Sequence, residues 1–287
     1  MQEKKRSRTR SRWLLPAALV LAGAAWFENF TLSTSTMTVS SAALPEAFSG
    51  LRIVQISDLH GRRFDAESRY LLELVRLQSP DLIALTGDLA DEFTDFSMLP
   101  PLLEGLTALA PTVYVTGNHE WVLSREKRAA LFSLLDAAGV VRLQNEYRLL
   151  EKGPASIVLA GVDDPNGPYD QKRPAQLVRE IRQAEGKGAY ILMLSHRNDE
   201  LDLWANMGVQ TVLCGHGHGG IVRLPFVGAV FGTHLDLFPD YTAGLYQKGQ
   251  TSMIVSRGLG GSRKLPLRIG NRPEVVTIVL KAESGRI

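Results

Sequence analysis

Apolar residues in this chain come in short, mostly apolar runs separated by stretches of helical spacing. The runs at 51–56, 82–85, 112–115, 157–160, 190–194 and 209–214 are too short for helices and lack polar alternation, as expected of strands buried on both faces. Between them, 66–77 carries Tyr70, Leu71, Leu74 and Leu77 at helical spacing, and 98–109, 124–138, 175–184 and 199–205 read as further helices. Pro100 and Pro101 suit a first turn, Ser124 an N-cap and Gly139 a stop. After Gly220 the helical spacing ends, and 221–224, 244–248, 252–255 and 275–280 read as strands joined by glycine and proline loops. The Ser- and Thr-rich segment at the start of 31–48 is either a linker or an extended strand. Strand–helix alternation followed by strands predicts one α/β domain over 49–282, with sheets flanked by helices.

The first thirty residues have a different character. Lys4, Lys5, Arg6, Arg8, Arg10 and Arg12 against Glu3 put a charge of +5 in a basic tail, 1–12, so the rest of the chain carries −3 of the net +2. The body is therefore mildly acidic and offers no basic stripe for nucleic acid. Trp13 to Phe27 contains no charged residue, and 13–30 reads as a signal-anchor or a signal peptide, expected to form an N-terminal hydrophobic helix. An uncleaved anchor puts the basic tail in the cytoplasm and the body outside. The alternative is cleavage at Ala22-Gly23-Ala24, giving a secreted or cell-wall-associated protein. The 45% hydrophobic composition supplies a sizeable core for the remainder, and the one cysteine, Cys214, excludes an internal disulfide. Nothing in the pattern indicates an oligomeric state.

The candidate chemistry follows the strands. Cys214-Gly215-His216-Gly217-His218-Gly219-Gly220 aims two imidazoles from one short turn at a strand end. Alone that motif is weak. Four other strands also end in residues that bind metals: Asp58 with His60, Asp88, Asn118 with His119, and His196. Parallel strands bring such ends to one rim, where open α/β sheets hold their ligands. Carboxylate and imidazole donors suit manganese, zinc or iron, and a shared carboxylate can bridge two such ions. Each residue has an ordinary reading, as a helix cap, a turn residue or a core histidine, but all of them would have to coincide at strand ends.

The ordered set Asp-x-His, Gly-Asp, Gly-Asn-His-Glu, Ser-His and Gly-His-x-His resembles that of the calcineurin-like metallophosphoesterases. The segments Gly-Gly-Ile-Val-Arg-Leu-Pro-Phe after His218, Tyr241-Thr242-Ala243-Gly244-Leu245-Tyr246 and Ser256-Arg257-Gly258-Leu259-Gly260 are similar to the membrane-associated YaeI/YkuE-like phosphodiesterase branch, which includes enzymes acting on UDP-2,3-diacylglucosamine. The resemblance implies a four-layer α/β/β/α sandwich of two mixed sheets flanked by helices. It also implies a binuclear centre that turns water into hydroxide for attack on a phosphodiester or pyrophosphate. By that resemblance Asp58, His60 and His218 hold one divalent ion, Asn118, His196 and His216 hold the other, and Asp88 bridges. His119 assists the leaving group, and Glu120 orients His119. The expected substrate is a small-molecule or lipid-linked phosphate ester. The rival readings are a non-catalytic membrane-anchored binding protein on the same scaffold and a protein Ser/Thr phosphatase. The latter lacks its usual Asp-Arg-Gly, since Gly87-Asp88 leads into Leu-Ala-Asp-Glu. Arg197-Asn198-Asp199 departs from the branch, which often has Asn-Pro-Asp, and Gly217 stands where it often has Thr. Arg62 and Arg63, just past the first motif, read either as a solvated surface pair or as cations steering a phosphate. Phe226, Phe231, Leu235, Leu237 and Phe238 form either a lipid-facing lip or a core plug.

Overall fold

The apolar runs become the inner strands of two six-stranded mixed sheets. In chain order the strands are β1 (Ser33–Ser41), β2 (Arg52–Ile56), β3 (Leu82–Thr86), β4 (Thr112–Val115), β5 (Val141–Arg142), β6 (Glu146–Lys152), β7 (Ala155–Gly161), β8 (Ile191–Leu194), β9 (Thr211–Cys214), β10 (Val222–Leu224), β11 (Gly228–Phe231), β12 (Gly244–Lys248), β13 (Thr251–Val255) and β14 (Glu274–Ala282). The helices are α1 (Arg69–Leu77), α2 (Leu99–Leu109), α3 (Asn118–Val122), α4 (Arg125–Ala137), α5 (Pro174–Ala184) and α6 (Leu201–Asn206). This computed structural model describes residues 25–233, 235–261 and 268–283, with 16, 19, 22 and 23 besides. The expected basic tail and most of the expected hydrophobic helix lie outside the described residues. Of that helix, 25–30 is helical. Among the described residues no helix is long and apolar enough to cross a membrane.

The first sheet has the order β1-β14-β2-β3-β4-β5 and the second β12-β13-β9-β8-β7-β6. Strands β2 to β5 run parallel, as do β7, β8, β9 and β13. Apolar side chains on the facing sides, including Ile53, Ala84, Val113, Leu159, Leu192, Leu213 and Ile278, fill the space between the sheets. The opposite sides of the same strands, such as Val54, Ile83 and Tyr114, pack under α1, α2 and α4, and Val158, Met193 and Val212 pack under α5 and α6. Every inner strand is thus covered twice, which is why its sequence shows no alternation. The arrangement is the expected four layers. A fully buried Gln55 on β2 ties the two sheets together, donating to the Cys214 carbonyl on β9 at 2.8 Å and to Thr86 Oγ1 on β3 at 2.9 Å.

Helix ends follow local chemistry. Ser124 Oγ accepts from the Lys127 N–H at 3.2 Å to open α4. α1 starts at Arg69, later than the start expected at 66, and the Asp65 carboxylate accepts the N–H groups of Arg69 and Tyr70 at 2.9 and 2.7 Å. Segment 31–48 resolves as strand over β1, paired parallel with β14. β5, β6, β11 and α3 carried no usable periodicity. β6 is an exposed, charged edge strand, and the others are two to five residues long.

Candidate metal centre

Each candidate ligand lies just past the end of a parallel strand. Asp58 and His60 follow β2, Asp88 follows β3, Asn118 opens α3 after β4, His196 follows β8, and His216 and His218 follow β9. Five of them, Asp58, His60, Asp88, His216 and His218, have positive φ between 49° and 66°. For a residue with a Cβ this conformation costs about 1–2 kcal/mol, so the backbone here is held by its surroundings. Those surroundings are specific. The His60 N–H donates to the Asp88 carbonyl at 2.9 Å, and the His216 N–H donates to both Asp58 carboxylate oxygens at 2.9 and 3.1 Å. Gly117 is required by close approach, because a Cβ there would overlap the Asp88 carboxylate and lie 2.6 Å from the Asp88 nitrogen.

The side chains converge into two groups that share one carboxylate. Asp58, His60, Asp88 and His218 form the first, and Asp88, His196 and His216 the second. In the first, His60 Nε2 lies 3.3 Å from His218 Nε2 and 3.6 Å from Asp88 Oδ2, and His218 Nε2 lies 3.6 Å from Asp58 Oδ1. In the second, His196 Nε2 lies 3.2 Å from each of Asp88 Oδ2, His216 Nδ1 and Asn118 Oδ1. Donor atoms about 2.0–2.2 Å from one cation are spaced by roughly 3.0–3.5 Å, so both groups have the right edge length.

The donor chemistry fits as well. The Nε2 atoms of His60 and His218 face each other at 3.3 Å, an approach of two ring nitrogens that a cation between them would satisfy. Burial, then the neighbouring His218, depresses His60 to about 4. Burial, then His196, depresses His216 to about 2, and burial, then Arg268, depresses His218 to about 3. These imidazoles are neutral, with lone pairs available at neutral pH. His196 behaves oppositely. Burial works against its charge, but Asp88, with a contribution from Asp58, outweighs burial and raises it to about 10. Burial likewise opposes charge on Asp88, yet His196 and the other histidines hold it well below the usual carboxylate range. The Thr86 carbonyl, 2.8 Å from His196 Nδ1, turns Nε2 toward the centre.

His119 stands beside the first group. Its N–H donates to Asp88 Oδ1 at 2.8 Å, and its ring packs edge-on against His60 with centroids 4.6 Å apart. Glu120, expected to orient His119, holds the N-cap of the helix that carries it through the Gly117 N–H. It is fully buried, and its carboxylate accepts the backbone N–H groups of Asp88 at 3.0 Å, Leu89 at 2.7 Å, Ala90 at 3.3 Å and Gly117 at 2.7 Å. It is therefore a positioning residue for the Asp88 loop. Burial and then Asp88 push it up to about 7, against the N–H donors that favour the ionised form.

Several contributors were not singled out from sequence. Asp164, after β7, grips Arg197 through two bonds of 2.6 and 3.1 Å, and Arg197 Nη1 reaches His216 Nε2 at 3.0 Å. Asp-Asp-Pro after an apolar strand was the available signal, but nothing in it named a partner. Asn271 donates to the His218 carbonyl at 2.8 Å, and the buried Arg268 guanidinium bonds the carbonyls of Gly260 and Arg257, the latter at 2.9 Å. Arg63 is a solvated partner of Asp95 as expected, whereas Arg62 is half-buried against Phe30 and Phe64. A cavity of about 410 Å³ opens beside His216, lined by Arg197, Asp199, Thr233, Asp236 and Tyr241.

The sequence model of the calcineurin-like phosphoesterase family matches residues 51–220, which contain all five strand-end motifs. The Bacillus subtilis protein named uncharacterized metallophosphoesterase YkuE is 31% identical over 90% of this chain and 89% of its own length. Phosphodiesterase YaeI of Escherichia coli is 31% identical over 80% of this chain and 82% of its own. A zebrafish transmembrane protein with metallophosphoesterase domain is 28% identical over 83% of this chain and 55% of its own. In sequence and in the way its strand ends assemble a shared-carboxylate centre, the chain belongs to the calcineurin-like metallophosphoesterases.

Proposed function

We propose that the protein hydrolyses a phosphodiester or pyrophosphate bond with two divalent ions of the manganese, zinc or iron type. The substrate is a small-molecule or lipid-linked phosphate ester met at a membrane, and UDP-2,3-diacylglucosamine is of the right class. One observation carries the reading: Asp88 belongs to both ligand groups at once. Asp58, His60 and His218 would hold one ion and Asn118, His196 and His216 the other. When bound, such a pair supplies Lewis acidity to phosphate oxygens and makes water a nucleophile near neutral pH.

The chain's own groups do the rest. The short helix α3 presents His119 beside Asp88 and His60, where an imidazole can hold a proton for the departing oxygen. Glu120 and Gly117 keep Asp88 in place, and Arg197 sets one wall of the cavity next to His216. The apolar 13–30 segment supports membrane anchoring with the catalytic domain outside the cytoplasm, or release to the exterior after cleavage. A binding role without turnover is disfavoured because no ligand position has been lost.

The test is a panel of a chromogenic monoester, a chromogenic diester, a UDP-linked glycolipid and a phosphoprotein, each with manganese, zinc or magnesium. The diester or the glycolipid should be hydrolysed fastest, and His119→Ala should lower kcat by about 10²–10⁴-fold. Full activity in His119→Ala would remove that residue's role, and an inert wild type with every metal would favour the binding protein.

A further inference from the structure

The apolar connection after β10 has an unambiguous environment. Phe226 and Val227, at the tip of the β10–β11 hairpin, are exposed, Phe226 fully, and Leu237 and Phe238 beside it are exposed as well. These side chains plug no core; they form a lip. The lip is joined to the hairpin by backbone bonds, the Phe238 N–H donating to the Val230 carbonyl at 3.0 Å. The same loop contributes Thr233 and Asp236 to the cavity beside His216. The lip therefore borders the entrance to the metal centre.

A second line of observation brings the N-terminal segment to the same place. β1 is parallel to β14, which is antiparallel to β2. The chain therefore enters the first sheet at the end where β2 delivers Asp58. There, Asn29 Oδ1 accepts the Arg268 N–H at 2.8 Å, and Asn29 Nδ2 donates to the Arg268 carbonyl at 3.1 Å. Arg62, two residues after His60, donates to the Asn29 carbonyl. The neighbour of Arg268, Ile269, exchanges backbone bonds with the lip hairpin, donating to the Ile221 carbonyl at 3.1 Å and accepting from Arg223 at 2.8 Å. Phe27, the last residue of the charge-free run, and Phe30, just past Glu28, are exposed beside Arg272 and Arg62. Aromatic rings with flanking cations, on the segment that ends a charge-free run, are the composition of a membrane–water interface. Exposed apolar residues grouped this way call for a partner.

We infer that the pole of the sandwich carrying the metal centre lies against the bilayer surface, with Phe226, Val227, Leu237 and Phe238 entering the interface alongside Phe27 and Phe30. The occupant is lipid, because the apolar run leading into Phe27 and Asn29 delivers the chain to this pole and to no other. The inference rests on the membrane-facing reading above and adds that the active-site mouth opens toward the lipid, so that a lipid-linked substrate need not leave the membrane.

The full chain in phosphatidylcholine–phosphatidylglycerol vesicles tests this. Cys214 is fully buried, so Phe226→Cys or Gln250→Cys takes a thiol-reactive environment-sensitive dye selectively. Gln250 precedes β13, at the opposite pole. The dye at 226 should shift to the blue, resist aqueous iodide and lose about half its emission or more to nitroxides on the acyl chains. The dye at 250 should do none of these. Iodide access at 226 equal to that at 250 would overturn the inference. So would protection at 226 without nitroxide quenching, which would mean that protein, a second copy or the chain's own N-terminus, covers the lip. Neither readout needs turnover, so an inactive protein still decides the matter. In an active one, Phe226→Asp with Val227→Asp should raise KM at least about fivefold for a vesicle-embedded diester and leave a soluble diester unchanged. An equal loss on both would contradict the docking role.

Discussion

Glu120 binds the backbone N–H of Asp88 at 3.0 Å and the N–H groups of Leu89, Ala90 and Gly117 besides, with no solvent exposure. One carboxylate thereby fixes the loop whose carboxylate is shared by both ligand groups. Glu120→Gln keeps the volume but replaces one acceptor oxygen by a donor facing buried N–H groups. It should cost about 1–3 kcal/mol in chemical denaturation. It should also weaken ion binding, since Asp88 loses its orientation. Unchanged stability together with unchanged ion affinity would show that the Glu120 bonds do not hold the loop.

The pH dependence of the metal-free protein has a definite sign on each side. His196 is raised to about 10 from 6.5, so its pairing with Asp88 stabilises fully below about 6.5 and is lost as pH rises through 10. His60, His216 and His218 are lowered to about 4, 2 and 3, so below about 6.5 the unfolded chain binds more protons and stability falls with falling pH. Metal-free protein should therefore be most stable near pH 6.5. Loading with ions at pH 8 should expel about one proton from His196, read by calorimetry in buffers of different ionisation enthalpy. Ion uptake without proton release would mean that His196 is not the group displaced.

Arg197 can only donate, so its contact makes Nε2 of His216 the acceptor and puts the ring proton on Nδ1. A cation on Nδ1 requires the opposite tautomer, which frees Arg197 Nη1 for a phosphate oxygen across the cavity. Arg197→Ala should raise both KM and the inhibition constant of inorganic phosphate about tenfold. Arg197→Lys should not restore them, because a lysine cannot span the two Asp164 oxygens and the site together. Unaltered phosphate inhibition in Arg197→Ala would confine the residue to a structural role.

The sequence made most of this architecture readable, for physical reasons. Strands covered on both faces left short, mostly apolar runs, and the ligands fell at their ends because parallel strands terminate on one rim. What stayed hidden has reasons too. The edge strand β6 carries charge on solvent-facing positions, so neither periodicity marks it. Asp164 and Arg197 are 33 residues apart and meet only when β7 and β8 pair. Glu120 reads from sequence as a neighbour of His119, and its bonds to the backbone N–H groups of Asp88 and Gly117 stayed hidden because no residue type announces where such groups lie. The lip and plug readings of Phe226 had the same composition and separated only when exposure was known.

The central claim is that Asp88 serves two ions at once, and metal content per chain tests it most directly. Wild-type protein equilibrated with manganese or zinc and freed of excess should hold two ions per chain. Asp88→Ala should hold at most one weakly and lose diester hydrolysis by three orders of magnitude or more, roughly the cost of removing a charge-stabilising group at a reacting centre. Two tightly bound ions in Asp88→Ala, with hydrolysis intact, would contradict the shared-carboxylate centre.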